Sequence, residues 1–158
     1  MEKKEFQKIT KEVFTEYGFI KYQKMFLLKL DIITIVVEQI SCRGIRSFDY
    51  YFYVNELQGD TDPSEFTNGL LVMEQLVHTP EIKGYQCYEI TYEKYTPDQY
   101  RKLLSELLHK YFDPYKENAI QHIKDTICAI SISLNAREYL GIEIDIDPDP
   151  LNPLKRHR

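Results

Sequence analysis

The stretch "IITIVV" at 32–37 limits the fold of this chain more than any other feature. Ile33, Ile35 and Val37 alternate with Ile32, Thr34 and Val36, so an extended backbone here is apolar on both faces. Such a strand belongs in the middle of a sheet, with both faces covered. Its neighbours in sequence, "FIKYQKMFLLKLD" at 19–31 and "SFDYYFYVNEL" at 47–57, are rich in β-branched and aromatic residues and also read as strands. Asp31 marks one tight turn and "RGIR" at 43–46 supplies a glycine for the next. Connections this short imply antiparallel pairing.

Helical patterns flank these strands. Phe6, Ile9, Val13, Phe14 and Tyr17 recur at spacings of three and four and predict a helix over 3–17. Gly18 follows where a helix closes in a left-handed residue, and Phe19 is placed to fold back onto Phe14. Further on, Thr96-Pro97-Asp98-Gln99 is a capping box with proline at the first helical position. Tyr100, Leu103, Leu104, Leu107, Leu108 and Tyr111 form the apolar face that follows it. Asp113-Pro114 predicts the end of that helix, because the residue before proline avoids helical angles. Ile120, Ile123, Ile127, Ile130 and Leu134 predict a stripe on a second helix.

Between strands and helices, Asp62, Pro63 and Glu65 read as a helix start, "LLVMEQLVH" at 70–78 fits strand or helix, and "YQCYEITY" at 85–92 reads as a strand. Strands and helices without regular alternation indicate an α+β fold. The expected form is an antiparallel sheet of about four to five strands, with an N-terminal helix and two C-terminal helices packed on it. Proline, asparagine and aspartate dominate 145–153, so the single domain is expected over 1–146, with 147–158 a Pro/Asp-rich and then basic tail.

Bulk composition narrows the function classes. The chain has 158 residues, 43% of them hydrophobic, which suits one domain with a real core. A net charge of −5 repels nucleic-acid phosphates and anionic membranes, so neither is an expected partner. The N-terminal residues resemble no signal or transit peptide, and the longest apolar run is too short to span a bilayer. Cys42, Cys87 and Cys128 form no CxxC pair and read as reduced thiols of a cytoplasmic protein.

The search for chemistry is mostly negative. In "EIDIDPDP" at 143–150, Glu143, Asp145, Asp147 and Asp149 occupy alternate positions. Counted as a calcium loop from Asp145, the sixth residue is Pro150 where glycine is needed, and the twelfth is Arg156 where a carboxylate is needed. A solvated strand edge broken by prolines fits better, and no metal is expected. His78, His109, His122 and His157 are scattered, and His109 is read as a cation near the C-terminal end of its helix. No GxSxG, SxxK, GxGxxG or Walker pattern occurs, so no cofactor or nucleophile is indicated.

Tyrosine is the one compositional excess, with thirteen residues and no tryptophan. In "FDYYFYVN" the strand period assigns Phe48, Tyr50, Phe52 and Val54 to the core. Asp49, Tyr51, Tyr53 and Asn55 fall on the other face and are the candidate partner-binding residues, since exposed tyrosines suit protein recognition. The competing assignment has these rings covering the second face of the sheet or packing under residues 58–80.

"VFTEYGFIKYQKMF", "VVEQIS" and "FDYYFYVN" together resemble a bacterial family known as domain of unknown function 4304. The resemblance covers residues 5–56 and is carried by Gly18, Phe19, Lys21, Phe26, Gln39, Ser41, Phe52 and Asn55. It implies a fold rather than an activity, with Gln39 expected in a sheet hydrogen bond. The favoured functional reading is a non-catalytic protein-binding module with a basic partner, immunity-like by analogy with small acidic proteins that neutralise toxins. The alternatives are an enzyme with a composite pocket between sheet and helices, using Glu38, Gln39 and a histidine, and a homodimer built on the sheet.

Overall fold

A computed structural model describes residues 1–42, 45–65, 74–76, 79–82, 85–87, 89–127 and 131–143. In chain order it contains α1 (Lys3–Tyr17), β1 (Ile20–Tyr22), β2 (Met25–Lys29), β3 (Ile33–Cys42), β4 (Ile45–Val54), α2 (Asn55–Gln58), β5 (Glu74–Gln75), β6 (Thr79–Ile82), β7 (Tyr85–Cys87), α3 (Pro97–Thr126) and α4 (Leu134–Leu140). β1 to β5 make an antiparallel sheet in sequence order, and β6 pairs with β7 in a separate ribbon. The architecture is α+β, as expected.

The apolar strand lies in the sheet's interior. Residues 33, 35, 36 and 37 of β3 are fully buried. Their ladder partners divide by parity: Val54, Phe52 and Tyr50 stand beside Ile33, Ile35 and Val37 on one face, while Tyr53 and Tyr51 stand beside Thr34 and Val36 on the other. The first face receives the helices. Phe14 of α1 stacks on Phe26 with ring centres 4.2 Å apart and lies 5.5 Å from Phe48. From α3, Phe112 meets Tyr50 edge-on at 5.3 Å, and Tyr115 lies 5.6 Å from Phe52. Phe6 and Tyr100 join the two helices, with the Tyr100 hydroxyl 2.8 Å from that of Thr10.

Local signals set most helix ends. Gly18 adopts φ +116°, its N–H donates to the Thr15 carbonyl, and the Phe19 N–H donates to that of Phe14. This is the left-handed closure that favours glycine, and the Phe14–Phe19 ring contact at 5.1 Å accompanies it. Thr96 and Gln99 cap α3 reciprocally, as their spacing predicts.

Three boundaries differ from expectation. Residues 19–31 form two strands, not one, because the chain reverses at Gln23, which takes φ +49° without a glycine to announce it. Asp113-Pro114 does not end the helix: α3 continues past Pro114 and breaks at Asn118, with φ −157° and ψ 88°. Proline costs a helix about 3 kcal/mol, but Phe112 and Tyr115, on either side of it, are both buried, and each buried aromatic returns about 1.5–3 kcal/mol. Helical geometry past Pro114 therefore persists, and His109 stands in mid-helix, not near the C-terminal end. Leu134 does not extend the isoleucine stripe. It begins α4, capped by Ser133, and is 60% exposed, whereas Ile123 and Ile127 are buried.

Smaller differences follow. Asp62 caps a turn, accepting from the Ser64 N–H at 2.8 Å, and Pro63 begins no helix. The strand expected at 85–92 is β7 followed by a single bridge from Ile90 to Arg46 and a 3-10 turn at Tyr92–Lys94. Residues 144–158, holding most of the acidic comb and the tail, lie outside the described residues, as do Cys128, Ile130 and all of 66–73.

The aromatic stack at Phe14 generates the first prediction. Phe14→Ala should cost about 3–5 kcal/mol, while Ile20→Ala, at a residue 69% exposed on the edge strand, should stay within about 0.5 kcal/mol. Urea denaturation midpoints of the two variants check this, and equal midpoints would contradict the packing described.

Candidate functional site

The second face of the sheet holds four of the residues singled out from sequence. Parity places Glu38, Asp49, Tyr51 and Tyr53 there, and the β3–β4 register sets Glu38 directly opposite Asp49. The two tyrosines do not stand exposed as a recognition surface: Tyr51 is 3% and Tyr53 8% exposed. They pack with Met25 and Val36 into a second apolar cluster, edged by Tyr22 and Leu27. The reason lies in β3 itself, whose Val36 needs cover that only neighbouring side chains on this face supply. The Tyr51 hydroxyl points to the Met25 sulfur at 3.5 Å. Its pKa is pushed up to about 12, chiefly by burial and then by the Glu38 and Tyr53 charges. The Tyr22 hydroxyl donates to Asp62 at 2.6 Å, tying the loop after α2 to this side.

This face also carries the carboxylates of Glu38 and Asp49, with Ile20, Lys29 and Ile40 exposed elsewhere on it. Glu38 and Asp49 are half-buried, and Asp49 accepts a hydrogen bond from Gln75 Nε2 at 3.0 Å. Among the described residues neither carboxylate has an ion-pair partner. Directly opposed like charges destabilise a ladder, so this pair is poised to attract a cation.

Gln39 lies on the opposite face from Glu38, paired with Phe48. The two pocket candidates are therefore not brought together. Phe14, Phe26, Phe48 and Phe112, all buried, pack between the sheet and the helices. Asn55 proves to be a clamp. Its Oδ1 accepts from Thr34 Oγ1 at 2.6 Å, and its Nδ2 donates to the carbonyls of Leu30 and Asp31 at 2.9 and 3.0 Å. Its backbone N–H donates to the Ile32 carbonyl at 2.9 Å, so the β2–β3 turn is held from four directions.

A polar cluster at the α1–α3 seam escaped the sequence reading. His109 Nδ1 lies 2.9 Å from Asp113 Oδ2, and the Tyr17 hydroxyl donates to Asp113 Oδ1 at 2.7 Å. Lys116 Nζ sits 3.5 Å from the centre of the Tyr17 ring and donates to the Tyr17 carbonyl at 3.1 Å. Tyr17, His109 and Lys116 border a cleft of about 180 Å³, which Ser105 and Glu16 also line. The Tyr17 hydrogen bond, then that of His109, holds the Asp113 carboxyl below its usual range. Burial, then Asp113, raises the Tyr17 phenol. The contact with Asp113 fixes the orientation of the His109 ring. The His-x-x-x-Asp spacing was legible as one helix face, but nothing local indicates that Tyr17 reaches it. His122 is separate, edge-on to Tyr115 at 4.5 Å, its pKa lowered chiefly by burial.

Among the described residues no group of three or more His, Cys, Asp or Glu could hold a metal, and no helix is long and apolar enough to cross a membrane.

Two predictions arise. Asn55→Ala should destabilise by about 2–3 kcal/mol, because the Thr34 hydroxyl and two carbonyls lose their partner together; chemical denaturation checks it. The lowered Asp113 pKa stabilises the fold above the ordinary carboxyl value of 3.8, and that contribution is lost as pH falls through the lower folded value. Tyr17→Phe removes the largest cause, so its stability deficit against wild type should be full at pH 6 and shrink on acidification below pH ~3.5, read from urea midpoints at each pH. A pH-independent deficit would show that Asp113 is not coupled to Tyr17.

Comparison of the chain with protein-family models, with curated proteins and with solved structures returned no match.

Proposed function

We propose that this is a non-catalytic, cytoplasmic protein-binding module whose second sheet face engages a basic protein. The observation that carries this reading is the pair Glu38 and Asp49, facing one another across β3 and β4 with no ion-pair partner among the described residues. The arrangement costs the ladder stability, and a Lys or Arg from a partner relieves it. Tyr51 and Val36 beside the pair are buried and rigid, so the carboxylates are held in place rather than on mobile loops. The net charge of −5 steers a cationic partner toward the molecule. The tyrosines serve as the floor of this face, not its contact surface. An immunity-like role, with a basic toxin as the partner, is one form of this reading, and membership of domain family 4304 goes with it.

An enzyme remains the second reading, favoured by the carboxylate–histidine contact of 2.9 Å at Asp113 and His109. That pair lies at the α1–α3 seam, and its side chains are 61% and 44% exposed, so the water exclusion that strengthens such a dyad is lacking.

The charge-reversal variant Glu38→Lys separates folding from binding. It places an opposite-charge pair across the ladder and should raise stability by about 0.5–1 kcal/mol. The same variant, combined with Asp49→Lys, should lose at least about tenfold in capture of a basic partner from cell extract at low salt. A control reversal at Glu5, exposed on α1, should capture as wild type does. Equal capture by all three proteins would remove the sheet face from consideration. Ester hydrolysis abolished by His109→Gln in a folded protein would transfer the case to the enzyme, and light scattering reads out the homodimer directly.

A further inference from the structure

The break in α3 opens a cleft that neither the sheet face nor the α1–α3 seam accounts for. It has a volume of about 380 Å³ and lies between the β2–β3 turn and residues 115–120. Leu30, Ile32, Ala119 and Ile120 give it a half-buried apolar lining. Asp31 and Glu117 stand exposed at its rim, and neither carboxylate has an ion-pair partner among the described residues. Lys116 also borders the cleft, but its ammonium is engaged with the Tyr17 ring and carbonyl.

Both walls are fixed before anything binds. The β2–β3 turn is clamped by Asn55 through the Leu30 and Asp31 carbonyls. The far wall is set by Asn118, whose Oδ1 accepts from the Gln121 N–H at 3.1 Å and so restarts the helix after the break. A cleft of this size, with an apolar lining and few polar groups, suits one long side chain with a charged end. The surroundings specify its sign. Two of the cleft's lining side chains, Asp31 and Glu117, are acidic, and outside the lining Tyr139, 45% exposed, donates to Glu56 and feels the Asp31 charge. A guanidinium here meets the carboxylates of Asp31 and Glu117.

We propose that this cleft is an anchor site for an arginine side chain of a protein partner. The alkyl stem lies on Leu30, Ile32, Ala119 and Ile120, and the guanidinium reaches Asp31 and Glu117. The proposal rests on the reading that the partner is a basic protein, and it adds a second contact remote from Glu38 and Asp49. A second copy of this acidic chain is disfavoured as the occupant by charge.

The probe is N-acetyl-arginine amide, with the neutral isostere N-acetyl-citrulline amide as control, followed by amide chemical shifts of the full chain. The arginine compound should give saturable shifts at residues 30–32 and 117–120, with a dissociation constant on the order of millimolar. Citrulline should bind at least several-fold more weakly. Ala119→Phe, which fills the cleft, and Asp31→Asn/Glu117→Gln, which keeps its shape, should each abolish the shifts while circular dichroism stays that of wild type. Absent shifts, equal shifts with citrulline, or shifts centred elsewhere overturn the cleft. If partner capture still depends on Glu38 and Asp49 in that event, the binding-module reading survives without it. If the arginine shifts appear but Ala119→Phe captures partner as well as wild type, the cleft is not a partner anchor.

Discussion

A strand that is apolar on both sides must be covered on both sides, and β3 imposes that requirement on everything around it. With residues 33, 35, 36 and 37 fully buried, the sheet cannot present an open face at its centre. One side is closed by aromatic rings from α1 and α3, which enter by different routes and meet at Phe6 and Tyr100. The other is closed by the sheet's own side chains, chiefly Met25, Tyr51 and Tyr53. Rings committed to covering Val36 are unavailable for recognising a partner. Tyr51 and Tyr53 form part of the second half of a two-sided core, since tyrosine combines large apolar area with a hydroxyl that tolerates a wet edge.

Polar function is consequently displaced to the margins of this core. Glu38 and Asp49 lie where the second cluster gives out toward β5, half-buried and mutually repelling. Asp31 and Glu117 stand at the end where β3 begins, beside a turn that Asn55 holds rigid. Acidic groups so placed contribute little to stability, and fixed backbone beneath them lowers the ordering cost of binding. Both margins complement positive charge, in agreement with the net charge of the chain.

The seam between α1 and α3 plays a different part. Tyr17, Asp113 and His109 join the last turn of α1 to the middle of α3, and Lys116 closes over the Tyr17 ring. This ties the residue just before the Gly18 closure to the long helix, so the chain leaves α1 in a defined direction and delivers Phe19 and Phe26 to the core. Several neighbouring positions play structural parts of the same kind: Gly18 ends a helix, Phe19, Phe26 and Phe52 fill the core, and Asn55 clamps a turn.

Periodicity and capping chemistry are local, and what they govern was readable directly. The stripe from Phe6 to Tyr17, the glycine closure at Gly18, the Thr96–Gln99 box and the central position of β3 each depend on residues within a few positions of one another. Tertiary contact alone decided the rest. Whether Tyr51 faces water depends on what lies across the sheet from it. Whether Pro114 ends a helix depends on the burial of Phe112 and Tyr115, which outweighs the lost backbone hydrogen bond. Whether His109 has a partner in α1, and whether Asn55 binds a ligand or its own turn, depends on groups far away in the chain. No spacing rule reports such meetings, because the chain pattern specifies which face a side chain is on but not what that face will touch.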